Sequence, residues 1–216
     1  MSERRTGETF VFDDFAGSIG DPDFEAVFGE IDRSMMRHHT TYIGGPRMSA
    51  CAKVTPFVPT DFVTPEGLET SEFRLRMLSV NDVVKDYDAV MSSVDHCRTI
   101  WPGGKWPEGL TLEQNLIDLG WHQKEFQTRR SFAYTVVNLS GSKVIGCVYV
   151  DPTRKRGHDA EVYLWARQSE LAGGLEDRLY VAIKEWIAKD WPFKSAAFPG
   201  RDIAWKNWRE IPNEKR

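Results

Sequence analysis

The chain has 216 residues, of which 41% are hydrophobic and 28% charged, with a formal net charge of -4. Such a length holds one large domain or one domain with an extension, and the apolar content, which includes 8 Trp and 12 Phe, excludes disorder throughout. The acidic balance leaves no electrostatic footprint for nucleic acid or an anionic membrane, and no run of about 18 apolar residues exists to span a bilayer.

The opening MSERRTGETF lacks the apolar segment of a signal peptide, so the expected compartment is the cytoplasm. Gly17, Gly20, Pro22, Gly44, Gly45, Pro46, Pro56, Pro59 and Pro65 punctuate the first stretch, and residues 1–70 read as an N-terminal extension. One helix is expected there, Asp23 to Arg37, with Phe24, Val27, Phe28 and Ile31 at helical spacing. That stripe would pack on its own domain or on a second copy, making a homodimer through the extension.

From residue 71 the periodicities sharpen. FRLRML alternates, with Phe73, Leu75 and Met77 on one face, as a half-buried strand requires. Ser79 can cap a following helix, with Asp82 three residues on and Val83, Tyr87, Val90 and Met91 as its stripe. The stretch Val94 to Gly109, VDHCRTIWPGGKWPEG, reads as a long loop carrying Trp101 and Trp106. Thr111 with Gln114 forms a capping box for a helix over Leu112 to Gln127, which ends before Arg129 and Arg130.

SFAYTVVNL, the turn SGSK and VIGCVYV then form a hairpin, and DPTRKRGHD leads to a third strand, AEVYLWAR. Short turns between successive strands make this segment an antiparallel meander. After SELAGG, Leu175, Leu179, Ile183, Trp186 and Ile187 mark an amphipathic helix that should cover one sheet face, and KSAAFPG supplies a short strand. The fold class is α+β, with a mostly antiparallel mixed sheet flanked by helices over residues 71–200 and a short tail over 201–216.

Cys51, Cys97 and Cys147 are odd in number and widely spaced, so all three read as free thiols, with Cys147 a small core residue. No metal site is expected: His96 and Cys97 are adjacent and point apart, and no i, i+4 His pair or C-x-x-C occurs. His158 and the run Arg154, Lys155, Arg156 read as a solvated turn. Gly173 and Gly174 precede a helix N-terminus, which physically is a phosphate site, while Glu176 and Asp177 in the first turn satisfy the helix dipole themselves.

The element order, the strand KVIGCVYVDP and the stretch AEVYLWARQSELAGGLEDRLYVAIKEWI together resemble the GNAT superfamily of N-acetyltransferases, over roughly residues 71–200. FRLRML followed by NDVVKDYDAVMSS is similar to that family's first strand and helix. The resemblance implies two strands that splay apart around the pantetheine arm of acetyl-CoA, the co-substrate. The arm would bond the backbone of Trp165, Ala166 and Arg167. Its pyrophosphate would sit on the amides of Ala172, Gly173, Gly174 and Leu175.

Acetyl transfer to an amine needs a base for the ammonium proton, a donor for the oxyanion and an acid for the departing thiolate. Glu161, where the family often carries a Glu on the central strand, is the candidate base, and Tyr163 on the same face is the candidate acid. A backbone amide near Trp165 or Ala166 would receive the oxyanion. Trp101 and Trp106 would line the acceptor pocket or else plug the core beneath their loop. The expected activity is direct acetyl transfer to a small-molecule amine or peptide, without metal. The rival in the same fold is a domain that has lost catalysis and serves as a binding or oligomerisation module.

Overall fold

The computed structural model describes residues 57–214. The helix expected over Asp23 to Arg37, the dimer contact expected through it, and Cys51 lie outside the described residues.

Among the described residues six strands form one sheet in chain order: β1 (Gly67–Glu69), β2 (Phe73–Met77), β3 (Phe132–Asn138), β4 (Val144–Asp151), β5 (Ala160–Ala166) and β6 (Ala196–Ala197). All neighbours are antiparallel except β5 and β6, which run parallel. The expected meander is β3 to β5. β1 belongs to the stretch read as extension, yet it pairs with β2 in register Leu68↔Leu75, and Val58 is buried in the core beyond it.

Helices cover both faces. The alternation of β5 sends Val162, Leu164 and Ala166 to one side, where they meet Leu175, Leu179, Ile183, Trp186 and Ile187 of α5 (Leu175–Asp190). Glu161, Tyr163 and Trp165 point to the other side. There α1 (Val83–Met91), α2 (Val94–Ile100) and α3 (Leu112–Gln127) pack through Ala89, Val90, Cys97 and Leu119. Two short helices, α4 (Gln168–Leu171) and α6 (Trp205–Glu210), flank the carboxyl end of β5 and the end of the chain.

The capping box forms as its spacing requires: the Gln114 amide donates to Thr111 Oγ1, and the Thr111 amide donates back to Gln114 Oε1. Two local expectations are corrected. Ser79 precedes a 3-10 turn, Val80–Asp82, without a side-chain cap bond, because the Asp82 carboxylate is drawn to the Arg76 guanidinium in two bonds of 2.6 Å. The segment read as one long loop begins with α2, whose Cys97 is fully buried.

Cys97 and Cys147 are free and buried, and burial pushes the Cys97 thiol up to about 12, so both remain protonated and unreactive. Among the described residues no helix is long and apolar enough to cross a membrane, and no cluster of His, Cys, Asp or Glu could hold a metal ion.

Close approach of β4 to β5 requires glycine at position 146, where a Cβ would lie 2.3 Å from the Trp165 carbonyl oxygen. Neither strand can yield without breaking the ladder. Gly146→Ala should therefore cost about 2 kcal/mol, a fall in Tm of about 4–8 °C for a domain of this size, read by calorimetry. An unchanged Tm would show that the strands part freely there.

Candidate active site

The site begins with a proline. β6 pairs with β5 only at Ala160↔Ala196 and Glu161↔Ala197. Two residues further on comes Pro199, which has no amide hydrogen to extend the ladder. The chain turns instead: Arg201 and Asp202 amides donate to the Phe198 carbonyl, the Gly200 amide donates to Ile203, and Gly200 takes a φ of 81°. From Val162 onward the far side of β5 therefore has no strand partner, and β5 and β6 part as a V.

The turn also aims two side chains back at β5. Trp205 stacks on Tyr163, with ring centroids 6.0 Å apart and planes 7° from parallel. Arg201 reaches the first turn of α5 and donates to Glu176 Oε1 at 2.6 Å.

Glu176 is the centre of the V. Its Oε2 accepts the Ala166 backbone amide at 2.9 Å and also pairs with His96 Nε2 of α2. The neighbouring Arg167 amide donates to Ile145 on β4, so by alternation the Ala166 amide faces the open side of β5. Burial raises the Glu176 carboxyl, but the hydrogen bonds from His96 and the Ala166 amide, with the charges of His96 and Arg201, outweigh it and hold the group below its ordinary value. Glu176 is therefore turned into the sheet gap as an ionised carboxylate. Of the two acids expected on the first turn, only Asp177 stays exposed there.

The candidate phosphate cradle lies beside this carboxylate. Gly174 caps α5 with a φ of 72°, a conformation suited to glycine, and its amide donates to Leu171. Leu175 is buried in the core, while Ala172 and Gly173 are exposed. SELAGG is wound tightly, since Gln168–Leu171 forms the turn α4. Cations around it are already matched: Lys143 with Glu170 at 2.7 Å, Arg167 with Asp88 at 2.8 Å, and Arg178 with Glu72 through both carboxylate oxygens. Trp165 and Ala166 are fully buried, leaving only their backbone to offer a ligand.

At the closed end of the V sit the residues expected to carry chemistry. Glu161 lies directly across from Asp151 on β4, and Tyr163 directly across from Tyr149, all on one sheet face. Burial raises the Glu161 carboxyl above its ordinary value, against the opposing pull of hydrogen bonds from Thr153 and Tyr163 and of the Lys155 charge. Burial also raises Asp151 well above normal, with the charges of Glu161 and Glu125 adding to it. Burial, with Glu161 and Asp151 next, raises Tyr163 as well, so its hydroxyl keeps its proton.

Aromatic rings wall this end. Trp101 stands edge-on to Trp106 at 5.3 Å and to Tyr149 at 5.7 Å, and lies 5.8 Å from Tyr163. Both Trp101 and Trp106 are half-buried against the cluster that holds Tyr163, with Trp101 at Tyr163 and Trp106 behind Trp101. The solvated turn expected at 154–158 is corrected in part. Lys155 donates to the Ile211 carbonyl, and His158 hydrogen-bonds Ser195 Oγ through Nδ1 at 3.1 Å and packs on Trp208.

Asp151, His96, Glu176, Arg201 and Trp205 were not singled out from the sequence as site residues. Asp151 was within reach, because pairing the two strands through their turn places it opposite Glu161. His96 and Arg201 meet Glu176 across separations of 80 and 25 residues, and Trp205 meets Tyr163 from beyond β6, so none of these leaves a local pattern.

No protein-family model matches the chain, and no curated protein does. Solved structures do resemble it. A probable acetyltransferase is similar at a TM-score of 0.50 and 10% identity, over 61% of this chain and 72% of that one. The ribosomal-protein-S5-alanine acetyltransferase of Vibrio fischeri gives 0.47 and 20%, over 57% and 67%. The microcin C7 self-immunity acetyltransferase, in complex with acetyl-CoA and AMP, gives 0.46 and 14%, over 59% and 71%. At these identities the likeness is one of fold.

Proposed function

From the acyl-CoA N-acyltransferase fold of residues 57–214 as premise, we propose that the chain is an acetyl-CoA-dependent N-acetyltransferase acting on an amine by direct transfer. The observation that carries this reading is the V between β5 and β6, which leaves the side of β5 that faces away from β4 without a strand partner beyond Val162. A strand side that no neighbouring strand bonds suits an extended ligand with its own amides, as a pantetheine arm has, once the Ala166 amide is released by Glu176.

Along the strand, Glu161 lies about 16 Å from Ala166, at about 3.3 Å per residue. An arm held near Ala166 and the start of α5 would thus carry its thioester toward Tyr163 and Glu161. In that arrangement Glu161, its affinity for protons raised by burial, takes the proton from the attacking ammonium, and Tyr163 supplies one to the departing thiolate. The bonds balance: nitrogen to acyl carbon forms and sulfur to acyl carbon breaks, one proton passes from the ammonium to Glu161 and one from Tyr163 to the thiolate, and the second proton that the nitrogen sheds as the amide forms restores Tyr163. Trp101, Trp106 and Trp205 would exclude water from the acceptor. The acceptor class in this reading is a small-molecule amine or the amino group of a peptide.

The test is titration calorimetry with acetyl-CoA and with CoA. Saturable binding of both is expected, and no heat at millimolar ligand overturns the reading for this chain. One observation favours a second reading, a domain without catalysis: the Glu176 carboxylate already satisfies the Ala166 amide. Binding of neither ligand is its expected result.

A further inference from the structure

Glu176 does more than offset the dipole of its own helix, since its three partners come from three different parts of the fold. The Ala166 amide belongs to β5, His96 to α2, and Arg201 to the turn after Pro199. Its carboxylate lies between them with side-chain exposure of 16%, beside 13% for His96 and 21% for Arg201, so it is shielded but can still be reached by water. The carboxylate takes the bond that a sixth-strand carbonyl would take if β6 continued. It fills the V in the manner of an extended ligand's carbonyl.

We propose that Glu176 is an internal gate for acyl-CoA. With its carboxylate on the Ala166 amide the V is closed; with the side chain swung out toward solvent beside Asp177, the amide is free for the ligand. The proposal rests on the acyltransferase reading and adds to it a built-in competitor for the co-substrate.

Three features of the site make a gate rather than a fixed strut. Glu176 stands in the first turn of α5, two residues after Gly174, where a change of side-chain rotamer needs no change in the helix. The closing bonds all converge on one carboxylate, so they are broken or made together. The partners left behind, His96 and Arg201, are cationic or donor groups that would face whatever anionic or carbonyl group replaces Glu176.

The experiment titrates CoA into the full chain and into Glu176→Gln, Glu176→Ala and Asp177→Asn, each first shown to melt cooperatively. Asp177→Asn removes the same charge from the same turn but from an exposed side chain. The gate predicts that Glu176→Ala binds CoA at least tenfold tighter than the parent, Glu176→Gln falls between, and Asp177→Asn changes less than threefold. Hydrogen exchange at the Ala166 amide supplies a second readout: slow in the parent, faster in Glu176→Ala, and slow again when CoA is added.

Equal or weaker CoA binding by Glu176→Ala, with the parent binding normally, overturns the gate and leaves the acyltransferase reading standing. Binding by neither protein overturns that reading, and the gate with it. Binding by Glu176→Ala alone also overturns both, since a carboxylate that never releases the Ala166 amide in the parent is a fixed plug and not a gate.

Discussion

Replacing Glu161 by Gln should lower kcat/KM for amine acetylation by about 10²- to 10⁴-fold, the usual contribution of a positioned base. CoA affinity should be unaffected, because Glu161 sits at the closed end of the V, where β5 and β6 are still paired. The pH profile carries a second signature. A base works deprotonated, and burial raises this carboxyl, so the rate of the parent should climb with pH through a limb above the ordinary carboxylate range. That limb should disappear in Glu161→Gln. Thiol release across a panel of amines measures both, and an unchanged rate would remove Glu161 from its role.

The largest loss of stability is expected at Trp165. It is fully buried and lies opposite Cys147, between β5 and the helices α1 and α2. Trp165→Ala would delete the largest fully buried side chain among the described residues and leave a cavity that rigid strands cannot close, at a cost of about 3–5 kcal/mol. In urea the midpoint should fall by about 2 M at the usual slope for small domains. A loss below about 1 kcal/mol would show that α1 and α2 collapse into the space. Because the backbone of Trp165 flanks the Ala166 amide, the substitution should also loosen the V, seen as faster exchange at that amide.

Legibility in the sequence followed the range of the interactions. Thr111 and Gln114 are three residues apart, and their box and the helix Leu112–Gln127 emerge as read. The meander was legible because its turns are short and its strands rich in β-branched and aromatic residues. The helix α2 was missed because Trp, Pro and Gly later in the segment outweighed Val94, Cys97 and Ile100, which recur every third residue after Ser93. Ser79 was read as a cap from spacing alone, whereas a nearby guanidinium claims Asp82. The site divides in the same way. Glu161 and Tyr163 were assigned a shared face from strand alternation, and they have it. Glu176 was read against its own helix, since nothing near it in the chain announces His96, Arg201 or the Ala166 amide.

The brevity of the outermost strands has a consequence for how molecules of this protein meet. Among the described residues β1 offers three residues and β6 two, the latter stopped by Pro199, so the outermost strands are short, and the open side of β5 beyond Val162 is shielded by Glu176 on the Ala166 amide. The long strands β3 and β4 are interior to the sheet, and β5 is paired along its whole length on the β4 side, so residues that would be aggregation-prone if bared are largely covered. Concentrated solutions should therefore resist fibril formation for as long as the sheet stays intact, and partial unfolding that strips off an edge would be the step that exposes the hazard.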